Sequence, residues 1–142
     1  MRGATDRVHA TVVARHPDAG VLILGPSGTG KSSLALRLMA FGAHLVADDR
    51  VILSAEDGAL FARCPDTLSG LIEARGAGIL RADALPVAKI TLAVDLGQEE
   101  TERLPPSREI AFCGVTLPLV LRLQHGHLEA VIWQWLKAGR EM

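Results

Sequence analysis

Cysteine is scarce in this sequence, and so are net charge and long apolar runs. The two cysteines, Cys64 and Cys113, stand far apart without metal-ligand spacing. They exclude a disulfide framework and a zinc site, and read as ordinary buried thiols in a reducing compartment. Lys and Arg number 15 against 16 Asp and Glu, a formal net charge of −1. No general affinity for nucleic acid or anionic lipid follows from that balance. Apolar stretches are short and broken by Pro, Gly or charge, so none reads as a bilayer span. The opening residues MRGATDRVHA lack the apolar core of a signal peptide. A cytoplasmic protein is expected. Internal repeats and low-complexity segments are missing too.

What is present is enough for one folded unit. Hydrophobic residues make up 49% of the 142 residues and charged residues 22%, the balance of a globule rather than a disordered chain. The length fits a single domain over residues 1–142 with a real core.

The chain is organised around Gly25-Pro26-Ser27-Gly28-Thr29-Gly30-Lys31-Ser32, which has the P-loop spacing G-x-x-x-x-G-K-S. It follows the strand-like run Val21-Leu22-Ile23-Leu24 and opens a segment rich in Leu, Ala and Met, good helix formers. Glycines let the backbone curl so that its N–H groups face phosphate oxygens. The helix N-terminus adds partial positive charge. In this pattern Lys31 reaches the β- and γ-phosphates and the Ser32 hydroxyl binds Mg²⁺. The nucleotide contacts are thus expected at Gly25, Pro26, Ser27, Gly28, Thr29, Gly30, Lys31, Ser32 and the adjoining Ser33. No Asn-Lys-x-Asp stretch occurs, which argues against a guanine-reading switch.

The rest of the chain supplies candidate partners for that loop. Val8 to Val13 alternates as a strand, and His16-Pro17-Asp18-Ala19-Gly20 reads as a turn into the P-loop strand. His9 then lies on a strand beside the phosphate site, where a lone histidine is ordinarily structural. A buried helix is expected from about Lys31 to Phe41, closed by Gly42. A helix of about eleven residues rises roughly 16 Å, and a strand of about five residues returns a similar distance. His44-Leu45-Val46-Ala47 therefore brings Asp48 and Asp49 back to the P-loop. One of the two would hold Mg²⁺; the other would take a proton from an attacking hydroxyl. Hairpin strands are expected over Arg50–Leu53 and Ala59–Arg63, and a short helix capped by Asp66 through Leu71, Ile72 and Glu73. Glu73-Ala74-Arg75-Gly76-Ala77-Gly78-Ile79 reads as a helix end and loop. Lys89–Leu96 reads as a strand, Gly97–Ser107 as a polar loop with Arg103 as its cation, and Ile110–Phe112 and Val115–Leu123 as further strands. Pro118 implies an edge or bulge. His125-Gly126-His127 is a turn rather than a metal site. The closing helix carries Leu128, Val131, Ile132, Trp135 and Leu136 on one face, with Trp133 off it.

Three separated segments together resemble the C-terminal catalytic domain of HPr kinase/phosphorylase: the P-loop, Gly42-Ala43-His44-Leu45-Val46-Ala47-Asp48-Asp49-Arg50-Val51, and Glu73-Ala74-Arg75-Gly76-Ala77-Gly78-Ile79. The resemblance implies an ATP- and Mg²⁺-dependent kinase that phosphorylates a serine of the phosphocarrier protein HPr, in control of the phosphotransferase system. It also implies phosphorolysis of that serine, with phosphate as acceptor and pyrophosphate as product. It assigns catalytic roles to His9, Lys31, Asp48, Asp49 and Arg103, and metal contacts to Ser32, Asp49 and Glu73. It implies a homo-oligomer, a hexamer in the family. It further implies an α/β fold: a P-loop core with mixed, hairpin-rich sheets and few helices, similar to phosphoenolpyruvate carboxykinase. The many hairpins read from the residues agree, since a doubly wound fold alternates strand and helix more regularly.

The departures are specific. The family's usual N-terminal domain is not in this sequence, which fits a short form. Ser33 stands where a Glu often follows the P-loop serine. The stretch Leu80-Arg81-Ala82-Asp83-Ala84-Leu85-Pro86 is shorter than the family's glycine-containing loop, and the C-terminal tail ends early. Two other functions fit the same residues: a nucleotide-binding regulator of this fold without turnover, and a kinase of another substrate. A decayed enzyme is expected to have lost His9 or one of the aspartates, and all three are present.

Overall fold

A computed structural model describes residues 2–65 and 69–142. Eleven strands and two helices follow in order: β1 (Arg2–Val8), β2 (Thr11–His16), β3 (Ala19–Leu24), α1 (Lys31–Ala40), β4 (His44–Ala47), β5 (Val51–Glu56), β6 (Ala59–Arg63), β7 (Leu71–Ala74), β8 (Gly78–Arg81), β9 (Ala88–Glu99), β10 (Glu109–Phe112), β11 (Val115–Arg122) and α2 (Leu128–Ala138). The main sheet runs β1-β5-β6-β9-β3-β2-β4, with β11 also on β9 and β10 on β11. It is mixed: β3 and β11 run parallel to β9, and the remaining pairs are antiparallel. The hairpin-rich mixed sheet with few helices is the architecture expected from the sequence.

β3 is buried on both faces, which accounts for its continuous apolar run. Val21 and Ile23 join a core under α1 and α2, with Leu34, Leu38 and Ile132. Leu22 joins a second core on the opposite face, with Val12, Leu53 and Leu60, against which the β10–β11 hairpin packs. β9 shifts register between Ile90 and Leu92, so Ile90 packs in the second core and Leu92 and Val94 in the first.

Several elements differ from the sequence expectation. The strand expected over Val8–Val13 breaks at His9 and Ala10; β1 leaves to pair with β5, while β2 pairs with β3 and β4. The Asp66 cap lies outside the described residues, and Leu71–Glu73 form a strand instead of a helix. Leu71 and Glu73 are exposed while Ile72 and Ala74 are buried, a period of two. The glycine-rich segment after Glu73 is then the turn of a hairpin with β8, not a helix end. β9 continues to Glu99, so the polar loop starts at Glu100. Pro118 pairs with Glu109 on one flank, and its other flank lies one residue before β11 joins β9 at Leu119. Both cysteines are half-buried rather than buried. In α1, burial is confined to Leu34, Ala35 and Leu38. In α2, Ile132 and Leu136 are buried but Val131 is exposed. Trp133 packs on Phe41 at 6.0 Å between ring centroids and beneath the Arg15 guanidinium at 4.5 Å. Among the described residues, no helix is long and apolar enough to cross a membrane.

Candidate functional site

The turn from β3 into α1 is built on glycines with positive φ. Gly25 has φ 146°, and a Cβ there would stand 2.6 Å from Thr29 Oγ1, so no larger residue fits. Thr29 is itself fixed, donating its Oγ1 hydrogen to the Pro26 carbonyl at 2.7 Å. Gly30 is the N-cap of α1 with φ 98° and supplies no side-chain cap. The first helical turn therefore keeps uncapped backbone donors, and it carries no acidic residue. Lys31 Nζ donates to the carbonyls of Gly25 at 2.7 Å and Pro26 at 3.2 Å, which ties the ammonium across the loop.

α1 carries the chain away and β4 brings it back. Because β3 and β4 both run antiparallel to β2, they point the same way, and Asp48 arrives at the loop's end of the sheet. Ser32 Oγ donates to Asp48 Oδ1 at 2.6 Å. Thr11 Oγ1 donates to the same oxygen at 3.0 Å, and the Glu73 backbone N–H donates to Asp48 Oδ2 at 3.1 Å. Both Asp48 oxygens are thereby engaged by α1, β2 and β7. Asp49 differs. Its backbone N–H donates to Thr11 Oγ1 at 3.3 Å, its φ is 68°, and it is exposed. A left-handed aspartate is a strained turn position, here held by its neighbours.

These groups line one cavity of about 530 Å³, with Thr11, Ser27, Gly28, Gly30, Lys31, Ser32, Ser33, Asp48, Asp49, Glu73 and Arg75 in its wall. Glu73, Ala74 and Arg75, at the end of β7 and the start of its turn, form a further part of the wall. Gly25, Pro26 and Thr29, expected as nucleotide contacts, do not line the cavity. His9 and Arg103 do not line this cavity. His9 is exposed at the bend after β1 and lines a neighbouring groove. Arg103 is exposed in the 100–108 loop. That loop is pinned at its ends: Arg108 Nε and Nη2 donate to the two Glu100 carboxylate oxygens at 2.8 and 2.9 Å. The Arg108 guanidinium, helped by the Glu102 and Thr101 backbone N–H groups, holds the Glu100 carboxyl down to about 2 against the opposing effect of burial.

Thr11 is the residue that the sequence reading missed. It is fully buried, and it touches both aspartates. The available signal was a single hydroxyl inside the apolar run from Ala10 to Ala14.

The family described as "HPr Serine kinase C-terminal domain" matches residues 3–108, which include every residue of this cavity. The chain belongs to that family. Curated relatives named HPr kinase/phosphorylase are similar to it. The one from Clostridium perfringens (strain SM101 / Type A) is 43% identical over 79 residues, 56% of this chain and 25% of that protein. Those from Clostridium kluyveri and Bordetella pertussis are 50% identical over 66 residues and 53% over 62. These matches cover 46% and 43% of this chain and 21% and 20% of the relatives. The matched segment thus spans a quarter or less of those relatives. The solved structure of the Hpr(Ser) kinase/phosphatase from Coxiella burnetii superposes with a TM-score of 0.76 at 25% identity, over 93% of this chain and 88% of the other. The HPr kinase C-terminal fold therefore extends beyond the short segments where identity is high.

Proposed function

We propose that this domain transfers the γ-phosphoryl group of ATP to a serine hydroxyl of HPr and runs the reverse phosphorolysis. The observation that carries the reading is the convergence of Ser32 and Thr11 on one oxygen of Asp48, beside an uncapped helix N-terminus. That arrangement pairs an anion cradle with oxygen donors suited to a hard cation. Among the described residues, no three His, Cys, Asp or Glu side chains cluster as a ready metal cage. Mg²⁺ suits such a site, since it takes few protein carboxylates and the rest of its ligands from phosphate and water. Ser32, Asp48 and Glu73 are the residues that would hold it; when bound, it neutralises charge on the phosphate oxygens.

The chain's own groups then divide the work. The loop backbone and Lys31 position the phosphates. Asp49, exposed and without a bonded partner for its carboxylate among the described residues, takes the proton of the attacking serine. The serine oxygen bonds to the γ-phosphorus as the bond to the β–γ bridging oxygen breaks. In phosphorolysis Asp49 returns the proton to the serine oxygen as phosphate attacks. This division moves the metal role from Asp49 to Asp48, whose Oδ1 already accepts from Ser32. His9, at the bend beside this corner, assists Asp49; Arg103, outside the cavity, takes no part in this division.

The test is incubation with HPr, Mg²⁺ and labelled ATP. Label on the HPr serine is expected, and release of pyrophosphate when phosphate is added to the phosphorylated product. Intact ATP binding with no label on HPr would sink the kinase assignment.

A further inference from the structure

β9 and β11 run in step until Leu121 stands opposite Asp95, and then the register breaks. β11 advances one residue to Arg122 while β9 advances from Asp95 to Glu99. Leu96, Gly97 and Gln98 are therefore an excursion of β9, an enlarged bulge with both ends fixed. At one end Asp95 pairs with Leu24, the last residue of β3 before the glycine loop. At the other the Glu100 backbone N–H donates to the Arg122 carbonyl at 2.8 Å, and Arg108 clasps the Glu100 carboxylate.

This excursion packs against the glycine loop. A Cβ on Gly25 would meet Leu96 Cβ at 3.3 Å, and one on Gly97 would meet Pro26 Cδ at 3.0 Å. Gly97 does not have a positive φ, so what it supplies is room for the proline ring. Asp95 holds the excursion in place. Its Oδ1 accepts the Gly97 N–H at 2.8 Å, and its Oδ2 accepts Gln98 Nε2 at 2.8 Å. Pro26 in turn organises the loop through its carbonyl. That oxygen accepts the Thr29 N–H at 3.2 Å, Thr29 Oγ1 at 2.7 Å and Lys31 Nζ at 3.2 Å. One proline thus touches both the β9 excursion and the loop's cation.

We propose that Asp95 is a positioning residue for phosphate binding. Through Gly97 it sets Pro26, and through the Pro26 carbonyl it sets Thr29 and Lys31. A carboxylate on the neighbouring strand, absent from the cavity wall, thereby tunes the affinity of the loop for phosphates. The proposal rests on the phosphotransfer reading above and adds to it what holds the loop ready.

The experiment measures the Mg·ATP Kd by calorimetry, the ATP and HPr KM values, and the urea midpoint. Variants are Asp95→Ala, Asp95→Asn, Gly97→Ala, Pro26→Ala and the Gly97→Ala/Pro26→Ala double. Asp95→Ala and Gly97→Ala should each raise the ATP Kd and KM about tenfold and leave the HPr KM within about twofold. Asp95→Asn keeps an oxygen for the Gly97 N–H and should recover most of the affinity. Pro26→Ala removes the ring that the new methyl meets, so the double variant should bind ATP no worse than Pro26→Ala alone. Gly97→Ala removes no bond and carries the test where Asp95→Ala fails to fold. An unchanged ATP Kd in Gly97→Ala overturns the proposal, and a lowered urea midpoint beside it assigns the excursion to stability alone. Additive losses in the double variant also overturn it, since they remove the route through Pro26. ATP binding by wild type without transfer to HPr overturns the kinase reading and leaves this one standing.

Discussion

Ser32 Oγ and Asp48 Oδ1 stand 2.6 Å apart, joining the first turn of α1 to the end of β4. Asp48 is thereby a fixed acceptor, and Asp49 is the freer carboxylate. Asp48→Asn is expected to weaken Mg²⁺-dependent ATP binding by about tenfold or more, since a charge-assisted bond and a cation donor are lost together. Asp49→Asn is expected to bind Mg·ATP nearly normally and to lose about 10²- to 10⁴-fold in transfer. Calorimetry with and without Mg²⁺, beside labelled transfer, separates the two; equal behaviour of both variants contradicts the division.

Thr11 ties both aspartates with one hydroxyl. Thr11→Val keeps the shape but leaves the Asp49 N–H and an Asp48 lone pair without their partner. A loss of about 1–3 kcal/mol in denaturant stability is expected, together with a fall in kcat. Thr11→Ser, which keeps the hydroxyl, should recover most of the turnover. Recovery by Ser but not Val is the signature of the hydrogen bonds rather than of packing.

Gly25→Ala tests the loop. The new Cβ would meet Thr29 Oγ1 at 2.6 Å on a backbone with φ 146°. ATP binding should be lost while the sheet still melts cooperatively. Gly25→Ala with Thr29→Ala removes the clash but not the backbone strain of about 1–3 kcal/mol, so only partial recovery is expected.

The Glu100–Arg108 pair predicts a pH dependence of stability. The Arg108 guanidinium holds the Glu100 carboxyl down to about 2 in the folded chain, below the ordinary glutamate value. Between those values the unfolded chain binds more protons, so stability rises with pH across that window. The contribution is complete above the ordinary value and is lost as the pH falls toward about 2. Urea midpoints of wild type and Glu100→Gln should therefore converge as the medium is acidified. A constant gap across the acid range contradicts the assignment.

Legibility in the sequence followed distance along the chain. Leu24, the glycine loop, α1 and Asp48 form one local unit, and spacing alone places its two ends together. His9 and Ala10 were harder: their apolar alternation continues through a point where the backbone changes partner from β5 to β3. Glu73 to Gly78 has weak strand propensity, and its hairpin is set by Ile72 entering the core beneath α1. Thr11 looks like filler until β4 places Asp48 beside it. Arg108 and Glu100 are eight residues apart across a loop, with no periodicity to announce them.

β9 gives the chain a timetable. It pairs with β6 near its start, β3 through its middle and β11 toward its end. The strand that feeds the glycine loop gains that flank only when Ala88–Glu99 arrives, and Gly97 then lies against Pro26 at the base of the loop. Such distant, parallel pairing is slow to form. During synthesis, the stretch from Val21 to Asp49 leaves the ribosome long before β3 has its parallel neighbour. The settled loop is therefore a late event in folding, and a nascent chain halted before β9 should carry the P-loop sequence without the affinity for ATP proposed for the finished domain.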